Sequence, residues 1–355
     1  MNLMKVTMMS QVAMNQVMSN KGKVAVIGAG SWGTALAGVL SGKGLKTTLW
    51  GHHPDHVAIL NRDRENKKYL PGYHFVDTLF ATADLAVAVK ECATVCMVVP
   101  SHGFRHVFET VAPFLEKGCQ VISAVKGIEN ETLMTMTQVM AEVLGTGGKE
   151  KEISLAVLSG PSFAKEVAMG MPTAVTIGCS QIEKAKELQR IFGTERFRVY
   201  ASSDVIGLEI SAALKNIVAI AAGISDGLGY GLNSRAALIT RGLAEIKRLG
   251  VKMGADPLTF FGLSGLGDLV LTCTGDLSRN RTVGLKLGQG KKLCDILDEM
   301  EMVAEGVKTT RSVYDLAKQL GVDMPILEQV YQILYKDKNC SAAVVDLLTR
   351  ELKNE

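Results

Sequence analysis

The sequence predicts an α/β domain followed by an all-α domain. Three observations carry that expectation. Apolar runs of strand length alternate with helical stretches from Val24 to about Tyr200. A glycine-rich turn joins the first strand to the first helix. From about Ser203 onward strand-like runs cease, and only helical stretches follow. Continuous apolar strands argue for a mostly parallel sheet covered by helices on both faces. The expected organisation is a loose N-terminal extension over 1–20, a doubly wound sheet of Rossmann type over 21–202, and an all-helical domain over 203–355. A chain of 355 residues is long enough for two such cores.

The first element sets the chemistry. Val24-Ala-Val-Ile27 reads as a buried strand and Ser31 to about Leu40 as a helix, with Gly28, Gly30 and Gly33 between and within them. The G-x-G-x-x-G spacing assigns each glycine a task. Gly28 permits the turn, Gly30 lets backbone approach a pyrophosphate, and Gly33 lets helix and strand pack closely. The phosphates then meet the free N–H groups and positive end of the helix.

Lys46-Thr-Thr-Leu-Trp50 is the second strand, and it ends at Gly51-His52-His53. An acidic residue commonly holds the adenosine ribose 2′-OH at this point. None stands here, and Asp55 comes late enough to open the next helix instead. A carboxylate repels a 2′-phosphate, whereas His52 or His53 does not, and Arg62 or Arg64 offers a cation. NADP(H) is therefore favoured over strict NAD use.

Asp55 to Glu65 reads as a helix broken by Tyr69-Leu-Pro-Gly72. Ala83 to Lys90 is a short helix. Further strands are expected at Thr94–Val99, Gln120–Val125, Ser154–Val157, Thr173–Ile177 and Phe197–Tyr200. Ligands in such sheets bind beyond the carboxyl ends of the strands. Three loops qualify: Pro100-Ser-His102, Lys126-Gly127 and Gly160-Pro-Ser162. Lys126 is the best candidate of these, although a surface lysine at a strand exit fits its position equally well. A helix N-cap turn explains the His102 stretch as well as a ligand role does.

In the second half, Ser203 or Asp204 caps a helix expected to run to about Ala222. It is apolar nearly all round yet carries Lys215 and Asn216. A buried ammonium is expensive without a partner, so Lys215 must face a wet cleft or an acid such as Glu209. Ser234 to Leu249 forms another helix, closed by Gly250. Gly262-Leu-Ser-Gly-Leu-Gly-Asp268 reads as a glycine-rich loop. Ser278-Arg-Asn-Arg281 opens a helix on which Arg279 suits a phosphate. Val303-Ala-Glu-Gly306 is a weaker loop candidate on the cofactor side.

Composition excludes several classes. The net charge of +3 comes without a basic block, which argues against nucleic acid as partner. The seven cysteines form no C-x-x-C pair and no metal-ligand cluster, so free thiols in a reducing cytoplasm are expected. No signal peptide or uninterrupted apolar run of membrane-spanning length is evident, so no membrane insertion is expected.

The ordered set of motifs resembles a known family. Gly28-Ala-Gly-Ser-Trp-Gly-Thr-Ala-Leu-Ala37, Val125-Lys-Gly127, Ser159-Gly-Pro-Ser162, Lys215-Asn216, Gly262 to Asp268 and Ser278-Arg-Asn-Arg281 are together similar to the soluble NAD(P)-dependent glycerol-3-phosphate dehydrogenases of bacterial type. The resemblance covers about residues 21 to 350. It implies reversible hydride transfer between NAD(P)H and dihydroxyacetone phosphate, giving sn-glycerol 3-phosphate for glycerophospholipid synthesis. By resemblance Lys215 is the catalytic acid/base. Lys126, Gly160, Ser162, Asp268, Ser278, Arg279 and Asn280 line the substrate site. Gly28, Gly30, Ser31, Trp32, Gly33, His52, Lys126, Ala164, Arg279, Val303 and Glu305 serve the cofactor. A homodimer is compatible with this picture. Two rival readings remain: a related two-domain reductase of β-hydroxyacid or 6-phosphogluconate type, and a nucleotide-sensing protein without catalysis.

Overall fold

A computed structural model describes residues 22–300 and 304–351. The expected extension over 1–20 and the cofactor candidate Val303 lie outside the described residues. Ten strands are present among the described residues: β1 (Lys23–Ile27), β2 (Thr47–Trp50), β3 (Glu65–Asn66), β4 (Leu70–His74), β5 (Leu79–Thr82), β6 (Cys92–Met97), β7 (Gln120–Ser123), β8 (Ser154–Ser159), β9 (Thr173–Cys179) and β10 (Phe197–Ser202). Eight form one sheet in the order β10-β9-β8-β7-β6-β1-β2-β5. Every pairing in it is parallel except β8 with β9. From β1 the chain winds outward through β2 and β5, then returns to β6 on the other side. That reversal between β1 and β6 is the switch point beside which such sheets bind ligands.

The sequence reading missed two pieces here. β5 is a short edge strand, and Leu70-Pro-Gly-Tyr-His74, read as a simple break, pairs antiparallel with Glu65–Asn66. The resulting hairpin lies beside the glycine-rich turn and matters below. Apolar cores form on both faces of the sheet, one around Leu36, Leu49 and Ile122 and the other around Ile27, Phe104 and Val121.

Beyond Ser202 no strand occurs among the described residues. The central helix, Val205–Gly227, is capped by Asp204, whose side chain accepts from the Gly207 N–H at 2.9 Å. It runs five residues past the expected end at Ala222. By length and composition it qualifies as a membrane span, with mean hydropathy 1.7, but 89% of that window is buried inside the protein. It is the core helix of the helical half, surrounded by Ile246, Leu249, Val283 and Val313.

Two expectations in this half need correction. Gly250 does not end its helix, which spans Leu232–Lys252. A Cβ at Gly250 would lie 2.2 Å from the Phe260 ring, so the glycine serves close packing, and the left-handed glycine after the helix is Gly254. The stretch before Asp268 is not an open loop either. Leu263–Gly267 is a wide helical turn that runs straight into the helix Asp268–Thr274.

The helix Arg279–Gly288 lies against the central helix with backbone touching backbone. A Cβ at Gly284 would sit 2.0 Å from the Ile220 carbonyl oxygen, and one at Gly223 would sit 2.1 Å from that of Arg281. Neither helix can retreat without opening the core. Gly284→Ala is therefore expected to cost about 3 kcal/mol or more of stability, at the upper end of overpacking effects. Urea unfolding checks this, and a midpoint equal to that of the parent protein would contradict the packing argument.

Candidate active site

The glycine-rich turn has the geometry its spacing predicts. Gly28 sits at φ +127°, and a Cβ there would lie 2.6 Å from the Val98 carbonyl oxygen. A Cβ on Gly33 would lie 1.8 Å from the Gly28 carbonyl oxygen, whereas one on Gly30 would meet nothing within 4 Å. Gly28 and Gly33 allow close packing, and Gly30 leaves an approach open. The helix Ser31–Gly42 starts with no side-chain cap from Gly30, so its first N–H groups suit an anion. These residues fit a dinucleotide pyrophosphate.

Around the turn, the Ser31 hydroxyl donates to the Tyr69 carbonyl at 2.5 Å. Trp32 packs partly against the sheet core, and its buried Nε1 has no hydrogen-bond partner. His52 is exposed at the exit of β2, with its ring 4.9 Å from His53 and 6.0 Å from Trp50. Asp55 lies in the first turn of the helix Pro54–Asp63. The two expected arginines are engaged elsewhere. Arg62 pairs with Asp63 at 2.7 Å, and Arg64 donates to the carbonyls of Val76 and Leu79.

On the same edge of the sheet, the exits of β7 and β8 meet the helical half. Lys126 Nζ donates to the Gly160 carbonyl at 3.1 Å and to Asp268 Oδ2 at 2.8 Å. The other oxygen, Oδ1, lies 3.1 Å from Lys215 Nζ. Asp268 thus holds two ammonium groups, one from each half of the protein. Lys215 also donates to Thr272 Oγ1 at 2.6 Å, and that hydroxyl donates to the Asp268 carbonyl at 2.6 Å. Asn216, the next residue on the central helix, donates to the Lys126 carbonyl at 3.3 Å.

Lys215 is 5% exposed and Asp268 1%. Burial pulls the Lys215 ammonium down to about 8; Asp268 opposes that shift and Lys126 adds to it. The anticipated partner Glu209 is not involved. It is buried elsewhere and accepts from the Thr137 N–H at 2.8 Å, and burial raises its pKa.

The remaining predicted residues surround this cluster unevenly. Gly160 takes φ +138°, where a Cβ would lie 2.9 Å from the Val175 Cα. Ser162 donates back to the Gly160 carbonyl at 2.9 Å, and Ala164 begins the short helix Ala164–Ala168. Ser278 caps its helix by accepting from the Arg281 N–H at 3.2 Å. Asn280 is buried, and its Oδ1 accepts from the Gly306 N–H at 2.9 Å. Arg279 is exposed; desolvation lowers its pKa, while nearby Glu305 raises it. Glu305 starts the helix Glu305–Leu320 and accepts from the Ser101 hydroxyl at 2.5 Å.

Family models for the NAD-dependent glycerol-3-phosphate dehydrogenase N-terminus and C-terminus match residues 23–185 and 204–345. The chain belongs to the NAD-dependent glycerol-3-phosphate dehydrogenase family. A relative from Desulfotalea psychrophila named glycerol-3-phosphate dehydrogenase (NAD(P)+) is 60% identical over 94% of this chain and 98% of its own. One of the same name from Citrifermentans bemidjiense is 57% identical over 94% of this chain and 98% of its own. The crystal structure of glycerol-3-phosphate dehydrogenase from Coxiella burnetii superposes with TM-score 0.88 at 42% identity. It matches 93% of this chain and 99% of that one. Family membership covers the sheet and the helical half alike.

Two residues at the site escaped the sequence reading. Thr272 carries a local signal, since it lies four residues beyond Asp268 on a helix and so shares its face. Ser101 sits in a loop the sequence singled out, but there the structure buries Ser101 and exposes His102. No group of three or more potential metal ligands occurs among the described residues. The cluster's charge balance is directly testable. Lys215 is expected to titrate near 8 in an NMR experiment on selectively labelled lysine. Asp268→Asn removes the opposing carboxylate and is expected to lower that midpoint further; an upward shift would contradict the assigned balance.

Proposed function

We propose that this chain catalyses reversible hydride transfer between NAD(P)H and dihydroxyacetone phosphate, yielding sn-glycerol 3-phosphate. The carrying observation is the Lys215 ammonium, buried at the junction of the two halves and held by Asp268 and Thr272 beside Lys126. The Gly28–Gly33 turn would hold the pyrophosphate of a dinucleotide, whose nicotinamide would supply or accept the hydride. The protein's residues manage charge and position. Reduction puts negative charge on the substrate's carbonyl oxygen, and Lys215 stabilises that charge and donates its proton. In the oxidative direction the neutral amine of Lys215 takes the proton from the alcohol.

Asp268 and Thr272 fix the direction of the Lys215 Nζ, and Lys126 reaches the substrate from the sheet side beside Gly160 and Ser162. Arg279 and Asn280, on the first turn of a helix capped by Ser278, anchor the substrate phosphate and hold the carbonyl in place. Ser31, Trp32, His52, Ala164, Arg279 and Glu305 face the cofactor. The exit of β2 offers histidines and no carboxylate at Gly51–His53, which supports acceptance of NADPH. We assign the product to glycerophospholipid synthesis in the cytoplasm; a homodimer is compatible with the assignment.

The test is loss of NADPH absorbance on adding dihydroxyacetone phosphate to the purified protein, repeated with NADH and with hydroxyacid substrates. Rapid loss with the phosphate alone supports the reaction, and turnover only with hydroxyacids favours the rival reductase. Cofactor binding without turnover of any substrate favours a sensor. Lys215→Ala is expected to lower kcat about 100-fold or more; near-normal turnover would remove Lys215 from the acid role. The pH dependence has a definite sign. Reduction needs the ammonium and falls as pH rises past about 8, while oxidation needs the amine and rises through the same range.

A further inference from the structure

The hairpin that the sequence reading treated as a break is fastened to the glycine-rich turn by one buried side chain. Asn66, on β3, is fully buried. Its Nδ2 donates to the Ala29 carbonyl at 3.0 Å and to the Thr34 hydroxyl at 2.8 Å. Its Oδ1 accepts from the Tyr69 N–H at 3.2 Å. Both amide hydrogens and the carbonyl oxygen are therefore used. Ala29 stands between Gly28 and Gly30, and Thr34 lies in the first turn of the following helix. The same hairpin accepts from Ser31 through the Tyr69 carbonyl. It also packs Tyr73 so tightly on the helix that a Cβ at Gly38 would lie 2.4 Å from the phenol oxygen.

A turn of this kind holds a pyrophosphate only if its N–H groups point the right way before the ligand arrives. Two of its peptides flank glycine, which by itself resists no rotation. The Ala29 carbonyl is the turn's inward-facing handle, and Asn66 grips it. We infer that Asn66 is a positioning residue for dinucleotide binding: it preorganises the Gly28–Gly33 turn through Ala29 and Thr34 without touching the cofactor. The inference rests on reading that turn as the dinucleotide site. Removing the amide leaves the buried Ala29 carbonyl unsatisfied and frees the turn to rotate, and both effects fall on cofactor affinity.

The readout is the dissociation constant for NADPH and for ADP-ribose, which keeps the pyrophosphate and lacks nicotinamide. The two tryptophans, Trp32 and Trp50, flank the turn and report binding by fluorescence. Asn66→Ala is expected to weaken both ligands in parallel by about tenfold or more, with the KM for dihydroxyacetone phosphate within about twofold of the parent value. Thr34→Val, which removes one acceptor and keeps the side chain's shape, is expected to weaken them about threefold, and Thr34→Ser to restore parent affinity. The Thr34 pair keeps the inference testable if Asn66→Ala fails to fold. Parent-like affinity in Asn66→Ala overturns the inference, as does equal weakening by Thr34→Val and Thr34→Ser. Parent protein that binds NADPH but reduces no dihydroxyacetone phosphate sinks the proposed reaction, and the binding curves still decide the role of Asn66.

Discussion

Asp268 bonds to two ammonium groups that arrive from different halves of the molecule, and much of the structure serves that arrangement. Lys215 sits on a helix otherwise made for burial, and a lone ammonium there costs several kcal/mol. Asp268 offsets part of that cost, yet it is shared with Lys126, so neither lysine has a full counter-charge. Burial first, and Lys126 beside the same carboxylate second, keep the Lys215 proton loosely held. A fully matched ion pair would stabilise the fold and hold the proton too tightly to give up. The site therefore trades stability for a proton that can move near neutral pH.

Holding that geometry demands rigid supports, and the helical half supplies them through backbone contact. Gly223 and Gly227 on the central helix meet Gly284 and Gly288 on the helix that begins at Arg279. The Ile220 carbonyl lies against Gly284 and the Arg281 carbonyl against Gly223, so the spacing between Lys215 and Arg279 is set by main chain and not by adjustable side chains. Past that contact, Asp226 ties the same two helices electrostatically. It pairs with Arg281 at 2.9 Å and with Arg235 at 2.7 Å. The start of the Arg279 helix is thus fastened beside its first turn, where Arg279 and Asn280 project.

What could be read from the sequence follows from the range of each interaction. The β1 turn was legible because strand, glycines and helix are adjacent in the chain. The strand alternation was legible for the same reason, although the antiparallel insertion of β9 left no local mark. The hairpin at Leu70–His74 was hidden by Pro71 and Gly72, which read as punctuation while its pairing with Glu65–Asn66 makes it structure. Gly250 looked like a helix stop because a terminal glycine and a packing glycine are the same letter; only Phe260, ten residues on, separates them. The partner of Lys215 could not be chosen by proximity. Glu209 is six residues away and faces Thr137, whereas Asp268 is distant in sequence and close in space. The ordered motif set supplied what local patterns could not, since it names residues from both halves together.

The seam between the halves explains why these residues gather where they do. Apolar cores lie on each face of the sheet and inside the helical half, and Ile128 of the sheet half joins the helical cluster. Between the halves Leu208 of the central helix packs on β9, where a Cβ at Gly178 would lie 2.4 Å from its Cδ1, and polar contacts accompany it. Glu209 accepts from Thr137, Asn216 donates to the Lys126 carbonyl, Ser101 donates to Glu305, and Ser312 donates to Asn130. A seam built this way resists sliding, because every displacement strands a buried polar group. The same seam sets Lys215 of the helical half beside Lys126 at the exit of β7, with Asp268 between them.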